Sequence, residues 1–184
     1  MPDRSSSGFT RLDEAELARG YRFRMVRARF QAPSGEEFER EVVRHPGAVG
    51  VVPLHDDGTV TLVRQYRPAL DVVLLEIPAG LRDVAGEADE RTAERELEEE
   101  AGLRADRLEL LTVFHNSPGL TDENVAIYCA RGLHEVPHDR QGIEEQSMTV
   151  ERIELPEALA MVDDGRITDA KTVIGLVLAV RRGR

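Results

Sequence analysis

Apolar and polar positions alternate through much of the first half of the chain. "YRFRMVRARFQ" (Tyr21–Gln31) has close to the period of two expected of a strand with one covered face. "PSGEE" then reads as a turn, and "FEREVVRH" (Phe38–His45) as the second arm of a hairpin. "GAVGVVPLH" (Gly47–His55) is instead a continuous apolar run, the mark of a strand buried on both faces. "DDG" turns the chain into "TVTLVRQYR" (Thr59–Arg67). "VVLLEIPAG" (Val72–Gly80) is a further strand, stopped by Pro78 and Gly80. The period changes at Asp89. From there to Ala101 the residues are good helix formers, and Gly102 is the stop. "LELLTVFHN", "NVAIYCARGL" and "QSMTVERIEL" return to strand character. "PEALAMVDDG" predicts a short helix with Pro156 in its first turn and Gly165 at its end, and "DAKTVIGLVLAVRR" a final one. The first twenty residues contain no apolar core of a secretory signal and read as a frayed, polar lead-in. The pattern predicts a mixed α/β (α+β) chain, with residues 1–45 as a small N-terminal antiparallel lobe and 46–184 as the main domain.

Composition narrows this picture. The 184 residues are 41% hydrophobic and 32% charged, enough for a buried core, and tryptophan is absent, so Val, Leu, Ile and Ala must fill it. The single cysteine, Cys129, excludes an intramolecular disulfide and fits a reducing, cytoplasmic setting. Its strand context marks it as a buried structural thiol. No apolar run approaches the roughly 18–20 residues of a membrane-spanning helix. A net charge of −11 argues against a nucleic-acid partner held on a broad basic face. It permits a small anionic ligand wherever arginines or bound cations reverse the local sign.

The candidate chemistry lies in "RELEEEAGL" (Arg95–Leu103), where four glutamates fall within Glu96–Glu100 and only Leu97 interrupts them. Like charges three and four residues apart destabilise a helix, and none of these acids has a lysine four positions on. At about 100° per residue, Ala93, Leu97 and Ala101 share the packing stripe. Glu96, Glu99 and Glu100 lie on an arc beside it, and Glu94 and Glu98 point the other way. An acidic surface helix would account for the run alone. However, the Pro/Gly-rich loop "IPAGLRDVAGE" leads into it from a buried-type strand. Hard carboxylate oxygens on a strand–loop–helix unit suit Mg²⁺, which is commonly held by a few carboxylates together with substrate phosphates.

"GLRDVAGEADERTAERELEEEAGL" resembles the Nudix box, G-x5-E-x7-R-E-U-x-E-E-x-G-U with U aliphatic. Every position from Glu87 onward matches. The departure is six residues, not five, between Gly80 and Glu87. "VRQYRPA", "LEIPAG" and "SPGLTDE" are similar to the ADP-ribose pyrophosphatase branch, in which a proline about fifteen residues past the box marks the substrate. Pro118 stands fifteen beyond Leu103. The resemblance implies a Nudix-type mixed sheet sandwiched by helices. It also implies hydrolysis of the pyrophosphate of ADP-ribose to AMP and ribose 5-phosphate, with Mg²⁺ as cofactor and Mn²⁺ as a substitute. Another nucleoside diphosphate sugar, such as GDP-mannose, is the alternative substrate. A non-catalytic ADP-ribose sensor is the remote one, opposed by the intact glutamates and by the lack of a DNA-binding appendix.

The resemblance also assigns roles. Glu96, Glu99 and Glu100 are metal ligands, completed by the backbone carbonyl of Ala79. Arg95 orients the glutamates by ion pairing. Glu87 supports them or is simply a helix N-terminal acid. The general base is expected on the polar loop "DRQGIEEQSM" as Glu145 or Glu144, Glu145 being nearer the next strand, although an ordinary acidic loop would look the same. His115 is the other candidate. Arg64 or Arg67, with Arg67 preferred, would hold the non-reacting phosphate. Pro118 and Glu123 are the remaining substrate-side positions. N-terminal lobes in this branch pair two subunits, which implies a homodimer.

Overall fold

The computed structural model describes residues 7–138 and 146–182. They form two compact units. One comprises the described residues up to Gly47 together with His115–Glu123; the other comprises Ala48–Phe114 and the described part of Asn124–Arg184.

The first unit is an antiparallel sheet of β1 (Thr10–Arg19), β2 (Arg24–Gln31) and β3 (Glu37–Arg44), in that order. Strand β1 corrects the expectation of a frayed lead-in. It is exposed along nearly its whole length, so it lacks the buried stripe that sequence patterning detects. It is held by its backbone pairing with β2 and by cross-strand charges, such as Arg29–Asp13 at 2.5 Å. The segment His115–Glu123 joins this sheet through Val43. The Val43 N–H donates to the Leu120 carbonyl at 2.9 Å, and Val43 bridges Thr121. Arg44 then ties Glu14 (2.7 Å) to Asp122 (3.1 Å).

The second unit contains a mixed four-stranded sheet and a three-stranded one. The first runs β7 (Ala79–Leu81), β4 (Ala48–Pro53), β9 (Asn124–Glu135), β8 (Leu103–His115). The second runs β10 (Thr149–Glu154), β5 (Thr59–Arg67), β6 (Val72–Glu76). Strand β4 pairs with β9 in parallel and with β7 antiparallel. Its continuous apolar run follows from burial on both faces. Val49 and Val51 pack with Ala93, Leu97 and Ala101 of helix α1 (Asp89–Ala101). Val52 packs in a second core with Ala158 and Met161 of α2 (Leu155–Asp163) and with Leu176 and Ala179 of α3 (Ala170–Arg182). Strand β9 alternates in the same way, Ala126 and Tyr128 toward the first core, Ile127 and Cys129 toward the second. Cys129 is buried, and that burial pushes its thiol pKa up. Among the described residues no helix is long and apolar enough to cross a membrane.

Candidate active site

Helix α1 ends where its sequence predicts. Gly102 adopts φ 63°, the left-handed conformation that favours glycine, and its N–H donates to the Glu98 carbonyl at 3.1 Å. The buried stripe of Ala93, Leu97 and Ala101 fixes the rotation of the helix and hence the direction of every glutamate on it.

Glu96 and Glu100 are themselves buried, at 8% and 4% exposure. They turn toward the strand that follows Pro78. The Ala79 N–H donates to Glu100 Oε2 at 2.8 Å. The Glu96 carboxylate lies against the bare Cα of Gly80, where a Cβ would fall 1.9 Å from Cδ. Backbone and carboxylates therefore approach more closely than any other residue at position 80 would allow.

Arg95 gathers the remaining acids. Its Nη1 donates to Glu96 Oε1 at 2.7 Å and to Glu99 Oε2 at 3.2 Å; its Nη2 donates to Glu87 Oε2 at 3.4 Å. Burial alone would lower the Arg95 pKa, but the charges of Glu96 and Glu99 hold it above its ordinary value. The repulsion posed by the glutamate run is thus offset by arginine, not lysine. On the exposed side Arg91 pairs with Glu94, and Arg104 with Glu98 at 2.8 Å. A cleft of about 630 Å³ opens there, lined by Glu87, Glu94, Arg95, Glu98 and Glu99 among others. Glu99 consequently faces the same cleft as Glu94 and Glu98, while Glu96 and Glu100 face Ala79 and Gly80.

The extra residue before Glu87 is absorbed in a turn closed by Glu87 N–H to the Val84 carbonyl at 3.2 Å. Arg82 anchors this loop to Asp89 at 3.1 Å and to the Asn124 carbonyl at 3.3 Å. Glu87 still accepts from Thr92 Oγ1 at 2.8 Å. That bond, with Arg95, holds its carboxyl below the ordinary range.

Arg67 and Arg64 are both engaged. Arg67 grips Glu76 with two hydrogen bonds, at 2.8 and 2.6 Å, and Arg64 pairs with Glu151 of β10. Glu123 lies in the first unit, where Asn116 Nδ2 donates to it at 3.0 Å and His45 Nδ1 stands 3.5 Å away. Pro118 and His115 belong to that unit as well. Glu144 and Glu145 lie outside the described residues. Sequence reasoning passed over Glu76, Lys171, Asp169 and Thr172, which form a network with Arg67 around the buried Glu76 and Thr172. The signal was compositional: of 24 basic residues, Lys171 is the only lysine.

Among the described residues, no group of three or more His, Cys, Asp or Glu is arranged to hold a metal ion. The donor set nonetheless fits a hard divalent cation: three carboxylates on one helix, two of them packed against a backbone cradle at Ala79–Gly80.

Residues 44–173 match the NUDIX domain model, and the chain belongs to the Nudix family. It is a Nudix pyrophosphohydrolase of the ADP-ribose pyrophosphatase branch. It is 40% identical over 172 residues to the ADP-ribose pyrophosphatase of Mycobacterium tuberculosis, covering 94% of this chain and 83% of that one. It is 34% identical over 152 residues to the GDP-mannose pyrophosphatase of Yersinia enterocolitica, covering 78% of each. A crystal structure of an ADP compounds hydrolase superposes with a TM-score of 0.79 at 26% identity, covering 95% of this chain and 93% of that one.

Proposed function

We propose that the protein hydrolyses ADP-ribose to AMP and ribose 5-phosphate. The water oxygen bonds to phosphorus, the bridging P–O bond breaks, the other phosphate leaves, and the proton passes to a carboxylate. The observation that carries this reading is the seating of Glu96 and Glu100 against Ala79 and Gly80, with Arg95 tying Glu96 to Glu99 and Glu87. Glu96, Glu99, Glu100 and the Ala79 carbonyl would hold Mg²⁺, or Mn²⁺ in its place. When bound, the cation supplies charge neutralisation and activation of water. Arg95 keeps the carboxylates aligned with one another, and Glu87 holds Arg95. Glu145, or Glu144, takes the proton. Arg67, in preference to Arg64, holds the non-reacting phosphate, and Pro118 and Glu123 are the remaining substrate-side positions. The working form is a cytoplasmic homodimer.

Hydrolysis of GDP-mannose is the second reading, favoured by the similarity to the Yersinia enzyme. A screen of ADP-ribose, GDP-mannose, UDP-glucose and NADH, each with Mg²⁺ and with EDTA, tests both. ADP-ribose should give the highest kcat/KM, and EDTA should abolish turnover. A tenfold preference for a GDP- or UDP-sugar would overturn the substrate assignment and leave the family assignment intact.

A further inference from the structure

Glu76 is 1% exposed and is surrounded by charge. Arg67 of β5 donates to both its oxygens, and Lys171 of α3 donates to the one that also receives Arg67 Nη2. Lys171 donates to Asp169 as well, at 2.9 Å. Asp169 caps α3, accepting the Thr172 N–H at 3.0 Å and the Thr172 hydroxyl at 2.5 Å. Thr172, fully buried, accepts the Ile77 N–H at 2.9 Å. Two cations and two anions thus balance, and burial alone would raise the Glu76 pKa, yet its arginine and lysine hold it below the ordinary range.

Buried ion pairs rarely stabilise a fold more than apolar residues of the same volume. Stability alone is therefore a weak reason for placing the charge of Glu76 where it is 1% exposed and gathering two cations around it. Their position supplies a better one. Lys171 and Thr172 fasten Glu76 and Ile77, the two residues just before Pro78. Three residues after Glu76, the Ala79 N–H meets Glu100, and Gly80 receives Glu96. Arg67 lies within the field of Glu100, which helps to raise its pKa. In a chain that uses arginine for every other basic position, this one is lysine. An ammonium is a compact point charge, and here it joins Glu76 and Asp169 through a single nitrogen.

We propose that Lys171, acting through Glu76, is a positioning residue. It sets the Glu76–Gly80 segment and the Arg67 guanidinium against the carboxylates of Glu96 and Glu100. This deepens the reading given above and rests on it.

The test separates positioning from charge balance. Lys171→Met should lower both Tm and kcat, with kcat falling at least tenfold. Lys171→Met combined with Glu76→Gln again leaves one cation and one anion. It should recover Tm while kcat stays at least tenfold down. Recovery of both would overturn the proposal, as would wild-type turnover in Lys171→Met. Lys171→Arg, which keeps the charge, should also lose kcat; full activity in it would show that the point-charge argument fails.

Because Lys171 is the only lysine, ¹⁵N-lysine labelling of the wild-type protein gives a single backbone amide signal. Adding Mg²⁺ without substrate should shift it, and an unmoved signal would overturn the coupling even if the variants fail to fold. Should the wild-type protein hydrolyse no nucleoside diphosphate compound, the functional reading fails, while the Mg²⁺ titration still decides the fate of the network.

Discussion

At Gly80 the missing side chain is a requirement, because Glu96 occupies the space a Cβ would need. Gly80→Ala should push the Glu96 carboxylate off the cradle and lower kcat by at least about a hundredfold, roughly 2.7 kcal/mol of transition-state stabilisation. Steady-state kinetics at saturating Mg²⁺ reads this directly. Glu100→Gln is the complementary case. The amide oxygen can still accept from Ala79, so folding should survive, but the charge is gone and kcat should fall by a similar factor. Near wild-type turnover in that variant would remove Glu100 from the metal set. Glu76 predicts a pH effect. Its carboxyl titrates below the ordinary 4.5 in the folded protein, so the unfolded chain takes up its proton first as pH falls. The stability it contributes is present above about 4.5 and is lost as pH drops through its folded value. Tm measured from pH 6 down to pH 3 should therefore fall more steeply in the wild type than in Glu76→Gln.

At the scale of elements, α1 determines how the site is aimed. Its packing stripe against Val49 and Val51 sets the rotation, and Gly102 sets where the helix stops. Gly102→Ala would place a Cβ in a left-handed backbone and 2.8 Å from His138 Cε1. It should cost about 1 kcal/mol or more in a urea melt, with KM little changed. By contrast, removing the exposed Arg104–Glu98 pair should alter stability by less than about 1 kcal/mol. These pairs relieve the repulsion of the run without holding the fold. The helix and the face that carries Glu96 and Glu100 were legible because a 3.6-residue period and a long motif coincide there. Strand β1 was not legible, because pairing through the backbone leaves no hydrophobic period to read.

For the whole molecule, the division into units does not follow chain order. His115–Glu123 lies among the core strands in sequence, yet its partners are Val43, Arg44 and His45. A chain beginning at Ala48 would leave Leu120, Thr121 and Asp122 without those bonds. Limited proteolysis should then cut between His115 and Glu123, where the full-length protein resists. Equal resistance in both would show that the segment holds its shape without the N-terminal sheet.

The sequence by itself determined the order of the main unit's elements apart from β7, which it ran together with β6 as one strand over Val72–Gly80 although the two lie in different sheets, together with the family through the box from Glu87 to Leu103 and the helix face that carries Glu96 and Glu100. Each is a local pattern: a period, a stop residue or a fixed spacing. What only the tertiary structure decided are the contacts between residues far apart in the chain. Arg67 is held by Glu76, Lys171 of the last helix reaches the same carboxylate, and the loop bearing Pro118 belongs with the N-terminal sheet. No period encodes such pairings. The charged contacts arise because a carboxylate buried like that of Glu76 must find partners wherever the packed chain brings them.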